Sequence, residues 1–253
     1  MNIVQTFYDE MASQYEKLFL DWDVEAKEQA GILEGLFRAY GFERTARVLD
    51  CACGIGTQAI ALAALGYSVT ASDISEKELT EAKERAEKRG APIRFAKADF
   101  RTLSESFDER FDIVIAIDNA LPHMRSPEEL CAAVNSIIGR TKPGGIFVAS
   151  IRDYDSLLKT KPSYSPPYIH DTQNGRRVSF QTWDWQEDSY RLTQYIIEDS
   201  ETLQISKFDC EYRATRREEL TELLVSAGCR EVEWKYPQET GFYQPIVVAR
   251  KVC

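Results

Sequence analysis

The sequence predicts an α/β fold, a doubly wound and mostly parallel sheet with an appended antiparallel β elaboration. Three observations predict it. Short apolar runs alternate with helical segments through residue 150. Several of those runs end in an acid, and one opens into a glycine turn. After Arg152 the pattern changes to closely spaced runs of period two. At 253 residues, the length fits one large domain or one domain with an elaboration.

Residues 1–46 read as a helical cap or lid. Phe7, Met11, Tyr15, Leu18 and Phe19 recur at helical spacing, as do Ile32, Leu33, Leu36 and Phe37, and Gly41 supplies a stop. Residues 47–152 read as a ligand-binding α/β core. Its first strand, 47–50, runs into the small-residue turn 51–56, then a helix over 59–65 ending at Gly66. A second strand, 67–73, ends in Asp73. Ser75 caps a charged helix with Glu78 at the capping-box position and Gly90 at its end. The charge over 76–88 reads as a solvated helix face. Strand three spans 93–99, and strand four spans 111–118, apolar enough for burial on both faces. Ser126 and Pro127 open another helix, and Lys142-Pro143-Gly144-Gly145 reads as a turn into strand five, 146–150. Residues 153–215 hold the elaboration, a Pro- and Tyr-rich loop at 161–169 and alternating runs around 178–185, 190–197 and 203–212. Residues 216–253 carry a helix over 218–227 and two runs, 231–236 and 246–252, that return to the core sheet.

Composition narrows the function. Thirty-one Lys and Arg against 41 Asp and Glu give a net charge of −10 and a pI near 4.9, which disfavours nonspecific nucleic-acid or anionic-membrane binding. Apolar residues at 43% and charged residues at 28% are globular values. No apolar run is long enough to span a bilayer and residues 1–5 lack signal-peptide character, so the cytoplasm is the expected location. Cys51, Cys53, Cys131, Cys210, Cys229 and Cys253 read as thiols, mostly buried, and no Cys/His set completes a metal site.

A strand ending in Asp50, a turn with Gly54 and Gly56, then a helix is how a doubly wound sheet holds a nucleotide-like ligand. Asp73 ends the next strand, where an acid accepts from ribose hydroxyls. Gly54-x-Gly56-x-x-Ala59 also fits the loose dinucleotide pattern, so the turn alone leaves a nicotinamide oxidoreductase open. The surroundings favour S-adenosylmethionine. Asp50 precedes the glycines by four positions, Asp99-Phe100 offers an acceptor and a ring for adenine, and Asp118-Asn119 closes strand four. This constellation resembles the class I S-adenosylmethionine-dependent methyltransferases, whose Rossmann-like sheet matches the predicted order. The resemblance implies cofactor contacts from Asp50, Ala52, Gly54, Gly56, Asp73, Ile74, Asp99, Phe100 and Asp118. Lys27 is a candidate for the cofactor carboxylate and equally fits a solvated helix face.

The runs 48–57, 118–123 and 151–155, with Ser206-Lys207-Phe208 and Gly241-Phe242-Tyr243, are similar to those of glycine and glycine/sarcosine N-methyltransferases. That resemblance implies methyl transfer from S-adenosylmethionine to the amine of glycine or sarcosine, releasing S-adenosylhomocysteine, by a monomer or small homo-oligomer. It implies that Arg152 pairs with the substrate carboxylate, Asn119 contacts the substrate, Tyr243 lines the pocket and Tyr8 reaches in from the first helix. The microbial enzymes that feed betaine synthesis match better than the mammalian ones, whose longer N-terminal segment is tied to tetramers. Taken alone, Arg152 fits an ion pair with Asp153 or Asp155 as well. Of the two histidines, His123 suits ordering the loop after strand four better than moving protons, and His170 has no assigned role, so no general base is named. A second reading keeps the fold and takes another small-molecule amine or hydroxyl as acceptor; a third is a noncatalytic cofactor-binding module.

Overall fold

Successive residues of the central strands turn to opposite sides, as a pleated strand requires, and the two sets build two cores. The computed structural model describes residues 3–173 and 175–252. The reading of Cys253 as a thiol lies outside the described residues, as do Met1 and Asn2. Two helices come first, α1 (Ile3–Tyr15) and α2 (Trp22–Ala39). The core alternates β1 (Arg47–Asp50), α3 (Thr57–Ala64), β2 (Ser68–Asp73), α4 (Glu76–Lys88), β3 (Arg94–Lys97), β4 (Phe111–Ala116), α5 (Pro127–Arg140) and β5 (Thr141–Ser150). Then follow α6 (Tyr154–Thr160), β6 (Tyr168–Thr172), β7 (Gly175–Gln186), β8 (Ser189–Asp199) and β9 (Leu203–Arg213). The chain returns through α7 (Arg217–Ser226), β10 (Cys229–Lys235), α8 (Pro237–Thr240) and β11 (Ile246–Lys251).

The seven-stranded sheet has the order β10-β11-β5-β4-β1-β2-β3. Strands β1 to β5 are parallel to their neighbours in that set, and β11 inserts antiparallel to both β5 and β10. Val48, Ile113, Ile115 and Val148 face Leu33, Phe37 and Leu62 of α2 and α3. Leu49, Val114, Phe147 and Ala149 face Leu130, Val134 and Ile137 of α5 and Leu220 and Leu224 of α7. The result is a three-layer sandwich. Chain order reverses at β1, which pairs with β2 on one side and β4 on the other, so a ligand crevice opens between the carboxyl ends of β1 and β4.

The second sheet is antiparallel, in the order β6-β7-β8-β9. One of its faces carries three cross-strand rows: Trp185–Tyr190–Tyr212, Trp183–Leu192–Cys210 and Gln181–Gln194–Phe208. Those rows pack onto the core cluster that also takes Phe7 and Met11 from α1.

Several elements differ from the sequence expectation, the short α8 among them. Tyr168 and Ile169 belong to strand β6 rather than to a loop, because pairing with β7 begins directly after Pro166-Pro167. Asp153 caps the unforeseen α6, its carboxylate accepting from the Ser156 N–H and hydroxyl. The Pro143-Gly144-Gly145 turn lies inside β5 as a bulge, where pairing with β4 jumps from Phe111↔Thr141 to Ile113↔Ile146. Gly145 is required there, since a Cβ would stand 2.7 Å from the Asp112 carbonyl oxygen. No helix among the described residues is long and apolar enough to cross a membrane.

Candidate active site

The loop between β1 and α3 is folded by its own polar groups. Gly54 N–H donates to Asp73 Oδ2 and Ser75 N–H to Asp73 Oδ1, each at 2.9 Å, so Asp73 ties the glycine turn to the end of β2. Asp50 is buried, accepts from the Ala52 N–H at 3.3 Å through Oδ1, and leaves Oδ2 without a partner. Burial pushes its carboxyl up to about 8; the Ala52 N–H opposes this, and the nearby charges of Asp73 and Asp118 add to it. Gly56 begins α3 at φ +90°, and a Cβ there would meet Ile60 Cδ1 at 2.7 Å. Its role is to let the turn close against α3.

Above the loop lies a cavity of about 400 Å³. Of the candidate residues, Ala52, Gly54, Asp73, Ile74, Asp99, Phe100, Asp118 and Tyr8 line it, joined by Tyr15 from the end of α1. Asp50 and Gly56 shape its floor without lining it. Lys27 stands exposed on α2, outside the lining, because that helix turns Ala26, Gln29 and Ala30 inward. What α2 contributes is Gln29, whose Oε1 accepts from Gln58 Nε2 at 2.6 Å. Asp99 is engaged by Arg101, whose Nη2 donates to Oδ2 at 2.6 Å while Nη1 reaches Glu129 at 3.0 Å.

Beyond β4 the backbone turns through two consecutive left-handed residues, Asp118 at φ 59° and Asn119 at φ 65°. Such conformations cost energy in non-glycine residues and recur at functional sites. Here they are held by bonds on both sides. Asp118 N–H donates to Ser150 Oγ at 2.8 Å, and its carboxylate accepts from Tyr243 OH at 2.6 Å and Gln58 Nε2 at 2.8 Å. Asn119 is buried, and its Oδ1 accepts from Arg152 N–H at 3.0 Å and Tyr154 OH at 3.1 Å. Its Nδ2 is therefore the free end, buried without a partner.

Arg152 is half-buried under the aromatic face of the second sheet. Nη1 donates to Tyr190 OH at 2.6 Å and Nη2 to Gln181 Oε1 at 2.9 Å, with the guanidinium carbon 5.0 Å from the Trp183 ring centre and 5.4 Å from that of Tyr212. Asp153 and Asp155 are both turned to Arg217 instead, at 2.5 and 3.3 Å. Arg152 has no ion-pair partner among the described residues. Between it and the cavity stand Tyr212 and His123, their rings 4.2 Å apart. His123 Nε2 meets Tyr8 OH at 2.8 Å, and burial, with the Arg152 charge, lowers the imidazole to about 3. It stays neutral, a hydrogen-bonding strut against α1. Tyr243 lies outside the cavity lining, contrary to the expectation, with its exposed ring 4.8 Å from that of Phe242 and its hydroxyl given to Asp118. His170 sits on edge strand β6, away from the cavity.

Residues 48–145 match the methyltransferase domain family. Over these residues the chain carries a methyltransferase domain. The glycine/sarcosine N-methyltransferase of Halorhodospira halochloris is 25% identical over 213 residues, 84% of this chain and 76% of that protein. The glycine N-methyltransferase of Rattus norvegicus is 34% identical over 171 residues, 62% of this chain and 57% of that one. The chain thus spans little more than half of the rat protein. Among solved structures, an S-adenosylmethionine-dependent methyltransferase from Clostridium acetobutylicum ATCC 824 superposes with a TM-score of 0.76 at 18% identity, covering 97% of this chain and 99% of that one.

The residues of this methyltransferase fit its cofactor, S-adenosylmethionine, which brings a sulfonium and an α-ammonium group. Asp73, Glu78 and Asp118 line the cavity with Asp50 beneath it, and burial raises the pKa of each. The arginines that line it, Arg101 and Arg125, are paired with Asp99, Glu129 and Glu211. A cation placed among these acids relieves their mutual repulsion. Sequence reading missed Gln58, Glu78, Gln181, Tyr154, Tyr190 and Tyr212. One signal was present: Gln181 and Gln194 are polar residues in the inward phase of alternating strands, directly opposite each other. Glu78 corrects the reading of 76–88 as wholly solvated, because it is 1% exposed.

Proposed function

We propose that this methyltransferase transfers the methyl group of S-adenosylmethionine to the amine of glycine, sarcosine or both, as in betaine synthesis. The observation that carries this reading is Arg152, a half-buried guanidinium whose neighbouring acids are committed to Arg217. A half-buried cation with only neutral partners is poised for an anion, and a carboxylate is the group a guanidinium binds bidentately. The names of the relatives in H. halochloris and R. norvegicus point the same way.

In this reading the cofactor supplies an activated methyl group, and the protein's task is positioning. The amine would be held in line with that methyl group, which the sulfonium would release to it, and its proton would pass to solvent or a nearby carboxylate. Holding both reactants in near-attack geometry is worth effective molarities on the order of 10⁵ M or more. Arg152 would take the amino-acid carboxylate, and the free Nδ2 of Asn119 would donate to the same group. Tyr8 and Tyr243 would close the pocket, with α1 and α2 as a lid over the cofactor and the antiparallel sheet forming the acceptor side.

The test is S-adenosylhomocysteine release by purified protein with glycine, sarcosine and dimethylglycine offered separately, the products identified by mass. Turnover with glycine or sarcosine is the expected result. Turnover only with neutral amines or hydroxyls would replace this acceptor by another small molecule.

A further inference from the structure

We propose that Glu78 is a second ribose-binding carboxyl of the S-adenosylmethionine site, acting beside Asp73. Glu78 lies in the first turn of α4, where its neighbours Glu76 and Lys77 are exposed while it is 1% exposed. A glutamate at this position of a capping box ordinarily reaches back to the N–H of the capping residue. Here Ser75 caps the helix, its Oγ accepting from Glu78 N–H at 3.1 Å, but the Ser75 N–H is already given to Asp73. The Glu78 side chain is thereby released from the helix and lines the cavity.

It carries an unmet need into that cavity, since Oε1 is buried with no partner. A buried atom left unsatisfied carries its desolvation cost, so a group that completes it gains affinity. The location identifies the group. Oε2 lies 3.1 Å from where a Gly54 Cβ would stand, in the corner formed by Gly54 and Asp73. Asp99 and Phe100 are the expected wall for adenine and Asp73 the expected ribose acid, so the corner beside Asp73 falls to the ribose. A ribose hydroxyl both donates and accepts. Burial, with Asp73 and Asp9 close by, raises the Glu78 carboxyl and so favours the form that donates an O–H, beside Asp73 as an acceptor. The inference rests on the cofactor alone and is independent of the acceptor.

Calorimetric titration with S-adenosylhomocysteine and with its 2′-deoxy and 3′-deoxy analogues tests it. Glu78→Gln, which keeps a donor, is expected to bind within about threefold of the wild type. Glu78→Met is expected to bind S-adenosylhomocysteine about tenfold more weakly and to lose about tenfold of the wild type's discrimination against one deoxy analogue. Wild-type affinity in Glu78→Met, or an equal loss for all three ligands, overturns the proposal. Thermal melting checks that each variant is folded; should Glu78→Met fail, Glu78→Ala is read against the same expectations. No acceptor enters the assay, so its failure is separate from failure of the glycine or sarcosine reading.

Discussion

Arg152 owes its availability to Arg217, which takes both acids that follow it in sequence. The sequence alone left Arg152 between a ligand role and an ion pair, because adjacency along the chain says nothing about a competing arginine 65 positions further along it. Arg152→Ala is expected to raise the KM for the amino acid by about 10²-fold, the scale of a lost charged hydrogen-bonded pair, while S-adenosylhomocysteine affinity stays within about threefold. Parallel kinetics and calorimetry decide it; equal losses of both would return Arg152 to a structural role. Gly56→Ala should lower stability by about 1–3 kcal/mol in chemical denaturation, since it adds both strain at φ +90° and a clash with Ile60. Glycine identity and spacing were legible in the sequence. The difference between Gly54, which lines the cavity, and Gly56, which packs against α3, was not.

At the scale of elements, Asp9 ties α1 to the segment that follows β2. Asp9 accepts from Ser75 Oγ at 2.7 Å and from Lys77 N–H at 3.2 Å, at the N-terminal turn of α4. Asp9→Ala is expected to speed amide exchange in α1 and the dissociation of S-adenosylhomocysteine together, measured by hydrogen exchange and stopped flow. Unchanged exchange in α1 would mean that Phe7 and Met11, buried in the core, hold the helix without it. Strands β1 to β4 were readable because their apolar runs are bounded by turns and helices of clear period. The bulge in β5 was not, because Pro-Gly-Gly has the composition of a turn, and only pairing with β4 carries the strand through it. Strand β6 escaped for a related reason: an edge strand has one partner, and its Tyr168 and Ile169 stand more than half exposed.

Over the whole molecule, buried titrating groups pull stability in two directions with pH. His123 is held at about 3 in the folded state against 6.5 unfolded, so the unfolded chain takes up a proton that the folded chain refuses. Stability therefore falls as pH drops from 6.5 toward 3, and the wild type's slope there should flatten in His123→Gln. Asp50 works oppositely. Its carboxyl rises from 3.8 to about 8 on folding, so its burial is increasingly destabilising as pH rises through that window. Asp50→Asn is expected to raise the melting temperature at pH 8 without cofactor while weakening S-adenosylhomocysteine binding, a trade of function for stability. A melting temperature unchanged at pH 8 would show that Asp50 is not carrying that cost.

The placement of β11 between β5 and β10 also orders the events of folding. Strand β10 is synthesised first, yet it cannot join the sheet until the later β11 has slotted in antiparallel to β5. Once made, the β5 edge stays open until β11 follows, with Phe147 and Val148 lacking their cross-strand partners, Ala249 and Val248. Completing the sheet is thus a late, non-local step, and such pairings are slow to form. Until it occurs, the nascent chain presents an apolar strand edge of the kind that pairs with other chains, so the arrival of β11 protects the fold from aggregation.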